Sequence, residues 1–146
     1  MAEALDLRSL SADTVKMFLE KLGAQLLSVV IFGFQVDGRA FGDSDVDILI
    51  VSEDKAPYSL LEEVCRGINM ELTLKYVNKV NCIPFHRSDI QYMMRMKHPF
   101  LIGIFQNNIL TYDPKGYFQK TLAEIRKQLE KGEIKIHGKS GLVFVK

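Results

Sequence analysis

Tryptophan is absent from the 146 residues, and cysteine (two) and proline (four) are scarce. Cys65 and Cys82 stand far from any metal-ligand spacing, so they fit reduced, buried thiols in a cytoplasmic protein better than a metal module or a disulfide framework. No window approaches the ~20 apolar residues that a membrane span needs. The first six residues, Met-Ala-Glu-Ala-Leu-Asp, have neither the basic start nor the apolar core of an export signal. Internal repeats and low-complexity tracts are lacking as well. Charge of one sign is not in excess: the net value of +1 argues against nucleic-acid binding by the surface as a whole. What is present, 47% hydrophobic and 25% charged residues, suits one domain large enough to bury a core.

The charge is unevenly spread. From Lys115 onward eight basic side chains face three acidic ones, net +5, while residues 1–114 carry net −4. A lysine-rich amphipathic helix accounts for this, as does a basic flap turned toward a polyanion or an acidic partner.

Hydrophobic periodicity predicts a helix over Ala12–Leu22, capped by Ser9 or Ser11 and stopped by Gly23. Leu26–Phe32 is a nearly continuous apolar run and reads as a buried strand. Residues 33–44 hold three glycines and read as a loop. A second strand follows over Asp45–Val51. Pro57 suits the first turn of a helix to about Arg66, with Gly67 as its stop. Ile68–Val77 alternates apolar and polar residues and predicts a half-buried strand. Ser88 suits the cap of a helix to about Met96, Pro99 starts a short segment over Phe100–Phe105, Ile109–Tyr112 reads as a short strand, and Tyr117–Lys131 as a last helix. Residues 133–146 alternate around a polar turn, as a hairpin or paired strand does. The sum is an α/β (α+β) domain on a small mixed β-sheet flanked by helices, over residues 1–131, with 132–146 as a C-terminal β extension.

Chemistry concentrates between Val29 and Val51. Asp45 and Asp47 stand two apart at the mouth of an apolar strand, so both carboxylates point to one face. Neighbouring ionised carboxylates repel each other, and a divalent cation removes the conflict. Gly33 ends the preceding strand, where a residue without Cβ lets a phosphate or another backbone approach, and amides exposed in such a turn can cradle an anion. Ser44 adds a hydroxyl beside the carboxylates or serves as a local cap. On the alternating segment Glu71 falls on the polar face, as a third carboxylate brought in by a neighbouring strand or as a solvent-facing residue. Asn69 is the fallback ligand on the same face. His98-Pro99 suits a capping role.

Phe32-Gly33-Phe34, ten intervening residues, and Asp43-Ser44-Asp45-Val46-Asp47-Ile48-Leu49 together resemble the signature of the minimal nucleotidyltransferase (MNT) family, within the polymerase-beta-like nucleotidyltransferase superfamily. The segment from His98 through Asn108-Ile109-Leu110-Thr111-Tyr112-Asp113 is similar to that family's downstream pattern. The resemblance implies a nucleotidyltransferase fold over about residues 12–113. It implies transfer of a nucleoside monophosphate, expected to be AMP from ATP, to a hydroxyl acceptor with release of pyrophosphate. Asp45 and Asp47 would hold one or two Mg²⁺ ions, Glu71 would be a third acidic position, and Gly33 would sit against the triphosphate. Phe34, Arg39 and Ser44 complete the implied nucleotide-binding set. The family's theme of antitoxins that adenylylate a HEPN-type RNase toxin implies a protein partner. Two departures stand out: Phe34 replaces a serine, and Asp37 stands where an arginine is frequent, with Arg39 two residues later. They leave a second reading open, a catalytically weakened scaffold acting as a binding partner. An unpaired tail strand would allow a homo-oligomer.

Overall fold

Two apolar runs, Leu26–Phe32 (β1) and Val46–Ser52 (β2), are buried along nearly their whole length and pair antiparallel at the centre of the sheet. The computed structural model describes residues 5–33, 45–137 and 142–145. Val80–His86 (β3) adds to β2 in parallel and Asn108–Tyr112 (β4) adds to β1 antiparallel, giving the order β3-β2-β1-β4. Continuous apolar sequence in the two central strands follows from helices covering both faces.

Alternation along β2 sorts the core. Val46, Ile48 and Ile50 point into one cluster with Phe18, Leu61, Ile68 and Leu72. Leu49 and Val51 point into the other, with Ile90, Leu101, Phe118 and Ile125. Leu7–Leu22 (α1) and Tyr58–Tyr76 (α2) therefore cover one face, and Arg87–Arg95 (α3), Pro99–Gln106 (α4) and Tyr117–Glu130 (α5) the other. A separate antiparallel pair, Ile134–His137 (β5) and Leu142–Val145 (β6), follows α5.

Local chemistry sets the boundaries. Asp6 caps α1, accepting from the backbone N–H of Arg8 and Ser9 at 3.1 Å each, so the helix begins five residues before the expected Ala12. Gly23, at φ +57°, ends it as expected. His98 caps α4, its Nδ1 accepting from the Phe100 N–H at 3.1 Å, with Pro99 in the first turn. Asp113 accepts from the N–H groups of Phe118 and Gln119 and from Ser28 Oγ at 2.7 Å, tying the start of α5 to β1.

One expectation is overturned. Residues 68–76 are not a strand but the second half of α2, which runs through Gly67 without stopping. Leu61, Cys65, Ile68 and Leu72 form its buried stripe at helical spacing. Leu72 is fully buried and Leu74 is 75% exposed, which a strand could not do with residues two apart. The polar residues between the apolar ones serve β3: Asn69 Oδ1 accepts from the Cys82 N–H at 2.7 Å, and Thr73 Oγ1 from the Val80 N–H at 3.0 Å. α2 thus covers the edge of β3, a strand whose Pro84 is tolerated because it lies at the edge.

Candidate functional site

Asp47 lies on the face of β2 opposite to Val46 and Ile48, so its side chain emerges on the α3–α5 side of the sheet. Asp45, two residues earlier and just before β2, lies near enough for its negative charge to raise the pKa of Asp47. The two carboxylates are therefore neighbours, as the spacing requires. Burial is the larger cause of the upward shift, and a hydrogen bond from Asn81 together with the charge of Lys79 oppose it.

The register explains the surroundings. Asp47 is paired with Phe32 on the β1 side and with Asn81 on the β3 side, so three strands contribute one row across the sheet. Phe32 packs edge-on against Phe100 with ring centroids 5.6 Å apart, and Phe85 lies tilted against Phe100 at the same separation. This aromatic group lies on the α3–α5 side of the sheet, with Phe32 the strand partner of Asp47. Gly33, directly after β1, has φ +96°, a conformation that favours glycine. A Cβ there would meet Asp47 Oδ2 at 3.7 Å, an ordinary contact, so backbone angle rather than space calls for glycine. Asn107, in the turn before β4, donates from Nδ2 to the Gly33 carbonyl at 3.0 Å and holds this corner.

Glu71 is not brought to this place. It is exposed on α2, the layer against the other face of the sheet, and lines a groove with Lys21, Leu60 and Glu63. The approach expected for it depended on a strand that is a helix. Phe34, Arg39 and Ser44, with Asp37, lie outside the described residues. Among the described residues no group of three His, Cys, Asp or Glu side chains could hold a metal. Two carboxylates with an amide beside them nevertheless make an all-oxygen set suited to a hard divalent cation that takes its remaining ligands from phosphates and water. Like charges held close on a partly buried row gain most from such an ion. Neither Asn81 nor Asn107 is a site candidate in the sequence reading. Asn81 is recognisable only through the β2–β3 register, and Asn107 reads as an ordinary turn residue.

The chain is similar to several known proteins. A family model described as a nucleotidyltransferase domain matches residues 13–132. A curated relative from Methanocaldococcus jannaschii, provisionally named a protein adenylyltransferase, is 25% identical over 108 residues, covering 73% of this chain and 72% of the relative. Among solved structures, a chain from a crystal structure of a toxin–antitoxin with AMP-PNP superposes with a TM-score of 0.57 at 12% identity, over 84% of this chain and 89% of the other. A chain from the complex of a tri-AMPylated Shewanella oneidensis HEPN toxin with its MNT antitoxin gives 0.53 at 10% identity, over 86% and 88%. At these identities the structural likeness concerns the fold.

Proposed function

Because the chain belongs to the nucleotidyltransferase domain family and is a nucleotidyltransferase, we propose that it transfers AMP from ATP to a hydroxyl on a protein, with Mg²⁺ held by Asp45 and Asp47. The observation that carries the proposal is the row Phe32, Asp47, Asn81, with Asp45 beside Asp47 and Gly33 at the end of β1. Enzymes of this class generally use divalent metals, and the oxygen donors present fit one. Mg²⁺ when bound would neutralise charge on the triphosphate.

The chain's own residues do the remaining work. Asp45 and Asp47 fix where the cation and hence the phosphates lie. Asn81 orients the Asp47 carboxylate through its hydrogen bond. Asn107 fixes the Gly33 corner, over which the triphosphate would pass. The phenylalanine group on that side of the sheet would limit water on one flank and so favour the acceptor hydroxyl over hydrolysis. In the transfer the acceptor oxygen bonds to the α-phosphorus, the bond to the bridging oxygen breaks, pyrophosphate leaves, and the hydroxyl proton passes to solvent.

A protein acceptor is favoured by the provisional name of the archaeal relative and by the AMPylated toxin in a structural neighbour. A HEPN-type toxin is the partner we propose on that support. Calorimetric titration of ATP, with and without Mg²⁺, tests the core of the reading. Metal-dependent binding is expected for the natural chain and its loss for Asp45→Asn/Asp47→Asn. Binding that ignores the metal, or no binding at all, would overturn it.

A further inference from the structure

α3 and α5 lie side by side on the outer surface of their layer and enclose a groove of about 440 Å³. Met94 and Tyr117 supply its apolar surface above the fully buried Ile90, Arg87, Arg95 and Lys120 its basic one, and Glu124, which accepts from Gln128, a single carboxylate. Tyr92 and Met96, on α3 and just after it, are 55% and 59% exposed. The groove is held open by its own contacts. Tyr117 Oη donates to the Arg87 carbonyl at 3.0 Å, the Arg87 guanidinium lies 5.1 Å from the Tyr117 ring centre, and Glu53 pairs with Arg87 at 3.2 Å. Arg95 lies 5.9 Å from the Tyr92 ring centre. Among the described residues no carboxylate pairs with Arg95 or Lys120, which leaves two cations available beside apolar surface.

Charge and composition together narrow the occupant. From Arg87 to Lys131 eight basic side chains face four acidic ones, and one of those four, Asp113, is spent on the start of α5. Tyrosine, methionine and arginine are the residues enriched in protein–protein interfaces. A nucleic-acid surface would show a denser basic track and fewer methionines. A groove between two helices, apolar at its base with cations at its edge, suits the apolar stripe of a helix flanked by carboxylates.

We propose that the α3–α5 groove docks an acidic amphipathic helix of a partner protein, its apolar stripe against Met94 and Tyr117 and its carboxylates on Arg95 and Lys120. The docking involves no nucleotide and stands apart from the transfer reaction. It does lie on the same face of the sheet as Asp47, so a protein gripped there is held on the acidic side of the domain.

The test is fluorescence anisotropy of the full chain with a labelled heptad peptide carrying leucine at its apolar positions and glutamate elsewhere. The same peptide with lysine for glutamate, and a labelled oligouridylate, serve as comparators. Binding of the glutamate peptide alone is expected, weakened about tenfold or more by Arg95→Glu/Lys120→Glu, less by Lys120→Ala, and unchanged by Lys16→Glu on α1. Mg²⁺-dependent ATP binding should survive Arg95→Glu/Lys120→Glu, and peptide binding should survive Asp45→Asn/Asp47→Asn, which separates this proposal from the transfer reading. No peptide binding, or binding indifferent to both groove substitutions, overturns it. Oligouridylate binding lost in the same variants would overturn it in favour of a nucleic-acid surface.

Discussion

Asp47→Asn should make the metal-free protein more stable while removing its capacity to be stabilised by metal and nucleotide. In the natural chain burial and the Asp45 charge both disfavour the ionised Asp47 carboxylate. Two unit charges 4 Å apart repel by roughly 1 kcal/mol in water and about 4 kcal/mol at an effective dielectric of 20. Asp45 is exposed and Asp47 half-buried, so solvent screening keeps the value near the lower end, about 1 kcal/mol. Asparagine keeps an oxygen for the Asn81 hydrogen bond and loses the charge. For a chain of this size the gain corresponds to roughly 2–4 °C in Tm. Saturating Mg²⁺ and ATP should reverse the order, since a ligand at a hundred times its Kd adds about 2.7 kcal/mol to the form that binds it. The pH dependence follows from the direction of the shift. An acid whose folded-state pKa is raised destabilises the fold above that pKa, and the deficit vanishes as pH falls through it and below the unfolded value. The advantage of the asparagine variant should therefore be full at neutral pH and fade in acid. Thermal melts of both proteins, metal-free and loaded, across that range decide the matter. A variant that melts lower in the metal-free state, or an advantage that grows on acidification, would refute the reasoning.

Two further substitutions probe the scaffold. Leu72→Ala should cost about 2–5 kcal/mol in chemical denaturation, because the residue is fully buried, while Leu74→Ala should stay within about 0.5 kcal/mol; equal costs would mean that both side chains share one face. Asp113→Ala should cost about 2–4 kcal/mol by the same measurement, leaving the buried Ser28 hydroxyl and two N–H groups at the start of α5 without their acceptor. Ser28→Ala should cost less, and a double-mutant cycle should show coupling between the two positions.

β1 and β2 are legible in the sequence because each signal there has a single cause. Buried central strands demand unbroken apolar runs, and acidic residues at the mouth of such a run have few structural uses. Ile68–Val77 misleads for an equally physical reason. Met70 and Leu74 are apolar yet exposed, and added to Ile68, Leu72 and Tyr76 they complete an alternation that masks the helical stripe from Leu61 to Leu72. Gly67 strengthens the illusion, since a glycine inside a helix costs about 1 kcal/mol and usually marks an end. β3 escapes notice because its edge position admits Pro84, and because α2 side chains satisfy N–H groups that the sequence gives no means of pairing. Once β3 is missing from the reading, Asn81 cannot be placed beside Asp47, and the helical Glu71 takes a role it has no geometry to fill.

The placement of the acidic pair is more tightly specified than the pair alone would suggest. Side chains alternate along a strand with a period of two, so slipping β2 by one residue against its neighbours would turn Asp47 into the layer of Phe18, Leu61 and Leu72 and send Val46 and Ile48 to the opposite face. An unpaired carboxylate in such an interior costs several kcal/mol, and displacing two β-branched residues from a packed layer costs several more. The register Phe32 to Asp47 to Asn81 is therefore enforced from both faces by residues that never touch the site. Stability and site geometry are linked through that register. A core substitution such as Ile48→Ala, remote from the carboxylates in chemistry, acts on their alignment as well as on the fold.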